Sequence, residues 1–230
     1  FRSANLMMLT ALRYDDRFNL QPDDEVIVPA VSWSTTYFPV DQNRFKLVFV
    51  DVNLDTLNID VDQVIEAITD RTKIVFAVNL LGNSCSWTAL QQIAEEHGLV
   101  IIEDNCESLG ASFGGKQLGT MGVMGSFSFF FSHHLQTMEG GMILTDDHEL
   151  DQYLRSLRAH GWIRDLPDSN CIYDKSGDPF EDSFRFVLPG YCVRPLEMSG
   201  AVGSVQLSKM DRMIQRRREN AFVFKRAFED

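Results

Sequence analysis

Residues 73–104, KIVFAVNLLGNSCSWTALQQIAEEHGLVIIED, decide the fold. Two continuous apolar runs, 73–79 and 99–104, flank a segment that is long enough to form one helix. Apolar runs that do not alternate with polar residues are typical of strands buried on both faces of a parallel sheet. The stretch therefore predicts a strand, a helix and a second strand parallel to the first.

The segment between the two runs has a helical pattern. Its apolar positions recur at helical spacing, at Trp87, Leu90, Ile93 and Ala94. Ser86 is placed to cap the start of this helix, and Gly98 to take the left-handed position after its end.

Outward from this unit, strands and helices continue to alternate. Further apolar runs that predict strands occupy 25–29, 46–51, 126–130 and 142–145. Helical patterns cover 58–68 and 148–160. This alternation predicts an α/β sandwich with a mostly parallel sheet flanked by helices.

The last third of the chain has a different organisation. Residues 164–183 form a long polar stretch that predicts a loop, whereas 194–221 predict one long helix. The chain opens without a methionine and stops inside a helical pattern, so we expect a piece of a longer protein. We predict a large α/β domain over 1–195 and, over 196–230, a helix that leads towards a truncated C-terminal domain.

Composition and charge exclude several classes of function. The net charge of −12 disfavours nucleic acid or an anionic membrane as the main partner. No apolar run approaches a membrane span, and no signal peptide is visible. The cysteines lack CxxC spacing, which indicates reduced thiols in a cytoplasm rather than structural zinc. The sequence also contains no Walker loop, GxGxxG motif or GxSxG elbow.

Polar groups follow the carboxyl ends of the predicted strands, where ligands bind in such sheets. These groups are Trp33, Asn79, Asp104, Ser128, His133 and His134. Ser3 and Ala4 start a predicted helix, whose free N–H groups favour an anion.

Each of these groups also has a structural explanation. Asp104 is equally suited to capping a helix, and Trp33 to filling the core. His133 and His134 are equally consistent with a solvated loop pair. A metal site formed by the histidines with Asp104 and Cys106 lacks the expected ligand spacing.

Several blocks taken together carry a family resemblance. They are PAVSWSTT (29–36), VNLLGN (78–83), 101–147, which contains SHHLQTMEGG (132–141), LRSLRAHGWIRD (154–165) and FVLPGYCVRPLEMSGAVGSVQL (186–207). In order and spacing they resemble the DegT/DnrJ/EryC1/StrS family of sugar aminotransferase-like proteins over essentially the whole chain. The resemblance implies the large domain of a fold-type I, aspartate aminotransferase-like protein that binds pyridoxal phosphate (PLP).

The resemblance also assigns roles to residues. Asp104 matches the acid at the pyridinium nitrogen, which keeps the ring protonated as an electron sink. Trp33 matches the aromatic residue over the ring, and Glu107 the residue on its hydroxyl side. Ser128, with the backbone around Ser3 and Ala4, matches the phosphate-binding groups.

One position departs from the aminotransferase pattern. The family's aminotransferases keep a lysine, which holds PLP covalently, six residues before an EGG-like turn; that position here is His133. No lysine lies between Lys116 and Lys175. Imidazole cannot replace that tether, but it transfers protons near neutral pH.

The histidine resembles the sugar-nucleotide 3-dehydratase branch of the family. That branch implies pyridoxamine phosphate (PMP) made from PLP with L-glutamate, and a nucleotide-linked 4-keto-6-deoxy sugar such as GDP-4-keto-6-deoxymannose, in deoxysugar and O-antigen biosynthesis. His133 is then the acid and base, with His134 and His160 as candidate partners. The family also implies a homodimer with a shared active site.

Three alternatives stay open beside the dehydratase. A sugar aminotransferase predicts an amino-sugar product, and a non-catalytic scaffold predicts no turnover. A related branch adds a [2Fe–2S] cluster, for which the segment after RAHGW offers only Cys171 and the distant Cys192. Cys192 also stands where the family usually has an asparagine that contacts the partner subunit's cofactor.

Overall fold

A computed structural model describes residues 1–228 of the chain. Its strands are β1 (Glu25–Pro29), β2 (Lys46–Val50), β3 (Thr72–Val78), β4 (Val100–Asp104), β5 (Ser112–Phe113), β6 (Lys116–Gln117), β7 (Met124–Ser128) and β8 (Gly141–Leu144). Six of them form one sheet in the order β2-β1-β3-β4-β7-β8. All neighbours are parallel except β7 and β8. The predicted α/β class and mostly parallel sheet are confirmed.

The helices predicted over 58–68, between Ser86 and Gly98, and over 148–160 are confirmed near their predicted positions, whereas the helix over 34–42 was not predicted. They are α1 (Arg2–Tyr14), α2 (Ser34–Gln42), α3 (Val61–Ala67), α4 (Trp87–His97), α5 (His148–Leu157), α6 (Pro179–Ser183), α7 (Glu197–Leu207) and α8 (Met210–Phe228). Among residues 1–228, none of these helices is both long enough and apolar enough to cross a bilayer.

Two hydrophobic layers cover the sheet. One joins α1 and α5 to one face through side chains that include Met8, Leu12, Leu150 and Phe76. The other joins α3 and α4 to the opposite face through side chains that include Val64, Trp87, Leu90 and Val75. Each fully buried side chain of this size stabilises the fold by about 1.5–3 kcal/mol. The central strands are consequently buried on both faces, and their carboxyl ends are held at one edge.

Local features differ from the sequence predictions in three places. Ser86 stands at the start of α4, but its side chain accepts no capping hydrogen bond from the helix, so the predicted Ser86 cap is wrong. Gly98 does end the helix in the left-handed conformation, with φ 64°. The predicted loop 164–183 ends in the short helix α6, and β5 and β6 form a hairpin that was not predicted.

The single helix predicted over 194–221 is wrong. A turn at Ser208 and Lys209 separates α7, which ends at Leu207, from α8, which begins at Met210. The predicted boundary between 1–195 and 196–230 falls just before α7. That division into domains stays a prediction, as does everything inferred for Glu229 and Asp230, which lie outside the described residues.

Candidate active site

The carboxyl ends of the parallel strands bring the predicted polar groups to one edge of the sheet. Asp104 is the last residue of β4 and lies in register with Ser126 of β7, two residues before Ser128. Trp33 lies four residues after the end of β1 and is the N-cap residue of α2. Parallel pairing gives these residues a common edge because every such strand ends in the same direction.

Asp104 is a fully buried carboxylate surrounded by hydrogen-bond donors. Its Oδ2 accepts from Asn5 Nδ2 at 2.9 Å and from Thr36 Oγ1 at 2.9 Å. Its Oδ1 accepts from the Cys106 backbone N–H at 3.1 Å. Burial raises the pKa of the Asp104 carboxyl above its ordinary value, while these donors oppose the shift. Asp104 caps no helix, so the capping explanation is wrong.

His133 lies in the turn after β7, within electrostatic reach of two carboxylates. Burial lowers the pKa of its imidazole below 6.5, and the charges of Glu107 and Asp104 oppose that shift. Its backbone N–H donates to Phe130 O at 3.0 Å, which closes the turn, and the Phe130 ring contacts the imidazole edge-on. His133, Glu107 and Asp104 therefore lie at the same edge of the sheet, and burial favours the neutral form of the imidazole.

Glu107 is anchored by the backbone of a neighbouring segment. Its Oε2 accepts from the Leu81 N–H at 3.1 Å, and Leu81 lies just beyond the end of β3 with φ 54°. This contact fixes Glu107 at the same edge as Asp104.

His134 has a different charged neighbour from His133, Arg217 of α8. Burial lowers the pKa of His134, and the positive charge of Arg217 on α8 adds to the shift. Within residues 1–228, its buried Nδ1 has no hydrogen-bond partner. Ile214 packs against Gly110, and Arg218 donates to Gly110 O at 3.0 Å, so α8 lies against the segment that follows Glu107.

Trp33 is exposed, with 73% of its surface accessible. The hypothesis that it fills the core is therefore wrong. An exposed indole at the mouth of a polar site is available to pack against a planar ligand.

The predicted phosphate-binding groups flank this site. Ser128 is buried, and its Oγ accepts from the Phe130 N–H at 3.3 Å. Helix α1 starts at Arg2 without a side-chain cap, so its first N–H groups lack helical partners. Ala4 N–H already donates to Phe1 O at 2.7 Å, which leaves Ser3 as the freer of the two predicted donors.

His160 lies after α5, where its N–H donates to Tyr191 O at 2.8 Å and its ring contacts Trp162 edge-on. It takes a left-handed conformation, with φ 65°. Its partnership with His133 stays a prediction.

The structure places three side chains around Asp104 that the sequence reasoning missed. They are Asn5, Thr36 and Ser126, all buried. Asn5 and Thr36 are far from Asp104 in sequence, and Thr36 ends the block PAVSWSTT without having been assigned a role, whereas Ser126 was visible as the serine that alternates with Ser128 along the same strand.

In the part of the chain that the structure describes, the cysteines form no disulfide and no metal-binding cluster is present. Cys85 is buried, Cys171 and Cys192 are exposed, and all four cysteines are free thiols. Residues 1–228 contain no group of three or more His, Cys, Asp or Glu arranged for a metal ion.

Comparison with known proteins places the chain among characterised sequences. GDP-4-keto-6-deoxy-D-mannose 3-dehydratase of Yersinia pseudotuberculosis is 56% identical over 98% of this chain and 58% of its own length. The enzyme of the same name from Escherichia coli O55:H7 is 52% identical over 99% of this chain and 59% of its own. The chain thus spans less than two thirds of these relatives.

Solved structures agree with the sequence comparison. The E. coli 3-dehydratase with bound hydrated PLP superposes with a TM-score of 0.96, at 52% identity over 100% of this chain and 59% of that one. A structure of GDP-4-keto-6-deoxymannose-3-dehydratase with a trapped PLP–glutamate geminal diamine superposes with a TM-score of 0.95 at 51% identity, over 100% of this chain and 60% of that one. A histidine-to-asparagine variant of GDP-4-keto-6-deoxymannose-3-dehydratase with bound GDP-perosamine also gives a TM-score of 0.95 at 51% identity, over 100% of this chain and 60% of that one.

The family follows from the extent of these matches. A model of the DegT/DnrJ/EryC1/StrS aminotransferase family matches residues 2–230. The chain therefore belongs to the DegT/DnrJ/EryC1/StrS aminotransferase family.

Proposed function

We propose that the protein is a PLP- and glutamate-dependent 3-dehydratase that removes the C3 hydroxyl of a nucleotide-linked 4-keto-6-deoxyhexose. The observation that carries the proposal is a histidine, His133, in place of the family's lysine, at the sheet edge that also carries Glu107 and buried Asp104. GDP-4-keto-6-deoxymannose is the substrate we propose, because the relatives that share half of these residues act on it by name.

The residues of the site fit PLP. Asp104 offers a buried carboxylate to the pyridinium N–H, and exposed Trp33 offers an aromatic face to the ring. Ser128 and the first turn of α1 offer a hydroxyl and N–H groups to the phosphate. The histidine in place of lysine implies that the cofactor is held by these contacts alone.

This arrangement gives the cofactor and the protein's side chains separate roles in the proposed reaction. Bound PMP, for which L-glutamate would be the amino donor, would supply the electron sink for loss of the C3 hydroxyl. His133 accepts the proton from the cofactor's C4′ carbon and donates one to the departing C3 hydroxyl. Burial lowers the pKa of His133 and so favours the neutral imidazole, the form that can accept a proton in the first of these steps. Asp104 keeps the ring nitrogen protonated, and Glu107 places a negative charge beside the imidazole when it carries the proton.

Wider features of the protein belong to the same proposal. We place the cofactor-binding domain in 1–195 and the connection to a smaller domain in 196–230. We propose a homodimer with a shared site, a cytoplasmic location and a role in O-antigen deoxysugar biosynthesis; the last is supported by relatives such as the lipopolysaccharide biosynthesis protein RfbH of Salmonella typhimurium.

A sugar aminotransferase is the second candidate, favoured only by the family itself. Against it stands His133, which cannot form the covalent attachment that such enzymes use. A non-catalytic scaffold gives no reason for the lysine to be replaced by another proton carrier.

The test uses the full-length protein with PLP, L-glutamate and GDP-4-keto-6-deoxymannose, with the product mass as readout. We expect a keto sugar one oxygen lighter than the substrate. An amino sugar would overturn the proposal in favour of transamination, and no turnover would favour a scaffold. His133→Asn should abolish turnover. Borohydride should leave no pyridoxyl group on the wild-type protein but should attach one to His133→Lys.

A further inference from the structure

Asp104 Oδ2 is bound by two side chains from two different helices. Asn5 of α1 and Thr36 of α2 each donate to this oxygen at 2.9 Å, and both residues are fully buried. A carboxylate has about four lone-pair directions, and the Cys106 N–H takes one on Oδ1. The two side chains thus saturate Oδ2, whereas the donors from the next segment, the Cys106 N–H on Oδ1 and the Cys106 thiol, come from a single residue.

The amide of Asn5 can face Asp104 in only one orientation. Its Nδ2 donates to Asp104 and also to Thr35 O at 3.1 Å, so it faces two acceptors. Its Oδ1 accepts from Ser126 Oγ at 2.6 Å. A flipped amide would set its oxygen against two acceptors inside the core, which would leave buried polar groups unpaired.

We infer that Asn5 is a positioning residue that holds the Asp104 carboxylate ionised and oriented for the ring nitrogen of the cofactor, with Ser126 fixing the Asn5 amide. This inference rests on the proposed function. Thr36 supplies the second donor to the same oxygen, so the three residues act as one unit that spans α1, α2 and β7.

The need for such a unit follows from burial. Burial raises the pKa of Asp104, and each donor that favours the ionised form opposes that shift. Loss of the Asn5 donor favours a protonated Asp104, which then no longer retains the proton on the ring nitrogen. A cofactor whose ring nitrogen is unprotonated is a poor electron sink.

The test loads the full-length protein with PLP labelled with ¹⁵N in the ring and measures the ¹⁵N chemical shift and the PLP dissociation constant. Asn5→Leu removes the donor in a similar volume, Thr36→Val removes the second donor, and Ser126→Ala removes the group that orients Asn5. Thr10→Val is the matched control, since Thr10 is a buried hydroxyl on α1 that bonds Leu6 O and Asn43 instead.

We expect a protonated ring nitrogen in the wild-type protein and in Thr10→Val. In Asn5→Leu the shift should move towards the unprotonated value, with PLP bound roughly tenfold more weakly. Thr36→Val and Ser126→Ala should move the shift in the same direction.

Wild-type shifts and affinities in folded Asn5→Leu would overturn the inference. If Asn5→Leu does not fold, unchanged shifts in both Thr36→Val and Ser126→Ala would overturn it equally. Failure of the wild-type protein to bind PLP would overturn the proposed function, and this inference with it. Normal wild-type binding with unaffected variants would overturn this inference alone.

Discussion

Glu103 and Asp104 are consecutive on β4, yet their buried carboxyl groups serve opposite faces of the sheet. Asp104 meets α1 and α2, whereas Glu103 accepts three backbone N–H groups from the segment before β7, those of Gly119, Met121 and Gly122. Side chains alternate along a strand, so one strand serves both purposes. Glu103 thereby fixes the segment that leads into β7, the strand that carries Ser126 and Ser128.

We predict that Glu103→Gln lowers the free energy of unfolding by about 2–4 kcal/mol. The glutamine amide would turn a donor towards backbone N–H groups and leave at least one of them buried without an acceptor. Urea unfolding of the cofactor-free protein measures the change. Glu96→Gln is the control, because Glu96 is exposed on α4. Equal urea midpoints for the two variants would contradict this account of Glu103.

The sequence was sufficient to predict the sheet and the edge at which the site lies. Runs such as 73–79 and 99–104 became β3 and β4 because a strand buried on both faces must be mainly apolar. Once those strands are parallel, Asp104 and Trp33 must follow their carboxyl ends at the same edge, so topology alone brought them near His133.

The sequence was not sufficient to predict the partners of Asp104 or the break before α8. Asn5 lies 99 residues from Asp104, and a contact at that separation depends on how α1 packs rather than on any local pattern. The turn at Ser208 and Lys209 contains neither glycine nor proline, so the helical pattern ran on through it.

Trp33 should contribute to cofactor binding and hardly at all to stability. We predict that Trp33→Ala leaves the free energy of unfolding within about 0.5 kcal/mol of wild type, because the indole is 73% exposed. PLP should bind roughly three- to tenfold more weakly, since a stacked aromatic contact contributes about 0.5–1.5 kcal/mol.

Thermal unfolding without PLP and a PLP titration measure the two effects of Trp33→Ala. Trp87→Ala is the contrasting variant: Trp87 is fully buried, and its loss should cost about 3–5 kcal/mol. A large loss of stability in Trp33→Ala, or unchanged PLP affinity, would show that Trp33 has a different role.

Gly161 is required for a close backbone crossing after α5. A Cβ there would collide with the backbone of Leu188, and the residue has φ 79°. We predict that Gly161→Ala destabilises the protein by more than about 3 kcal/mol, since backbone cannot move aside as a side chain can.

Gly177 provides the control for Gly161, because it has φ 82° but open space around its Cα. Gly177→Ala should therefore cost only the strain of the left-handed conformation, about 1–2 kcal/mol. Urea unfolding of both variants separates strain from collision. Similar losses in the two would show that the contact with Leu188 is not the cause.

The pH dependence of turnover should report the environment of His133. Burial lowers the pKa of His133 below 6.5, against the opposing charges of Glu107 and Asp104. The neutral imidazole accepts the proton, so kcat/KM should fall at acidic pH with an apparent pKa below 6.5. Glu107→Gln removes a charge that favours imidazolium and should move this limb to lower pH. A limb at or above 6.5, or one that moves upward in Glu107→Gln, would contradict this assignment.

The same shift should appear in the stability of the protein. A histidine whose pKa is lowered on folding binds fewer protons in the folded state than in the unfolded state. Its contribution is therefore complete above pH 6.5 and is lost as the pH falls from 6.5 through the lowered pKa. Unfolding of His133→Asn should lose part of this dependence. His134→Asn should lose another part, because burial lowers the pKa of His134 too. A double variant with the full wild-type dependence would show that other groups titrate in this range.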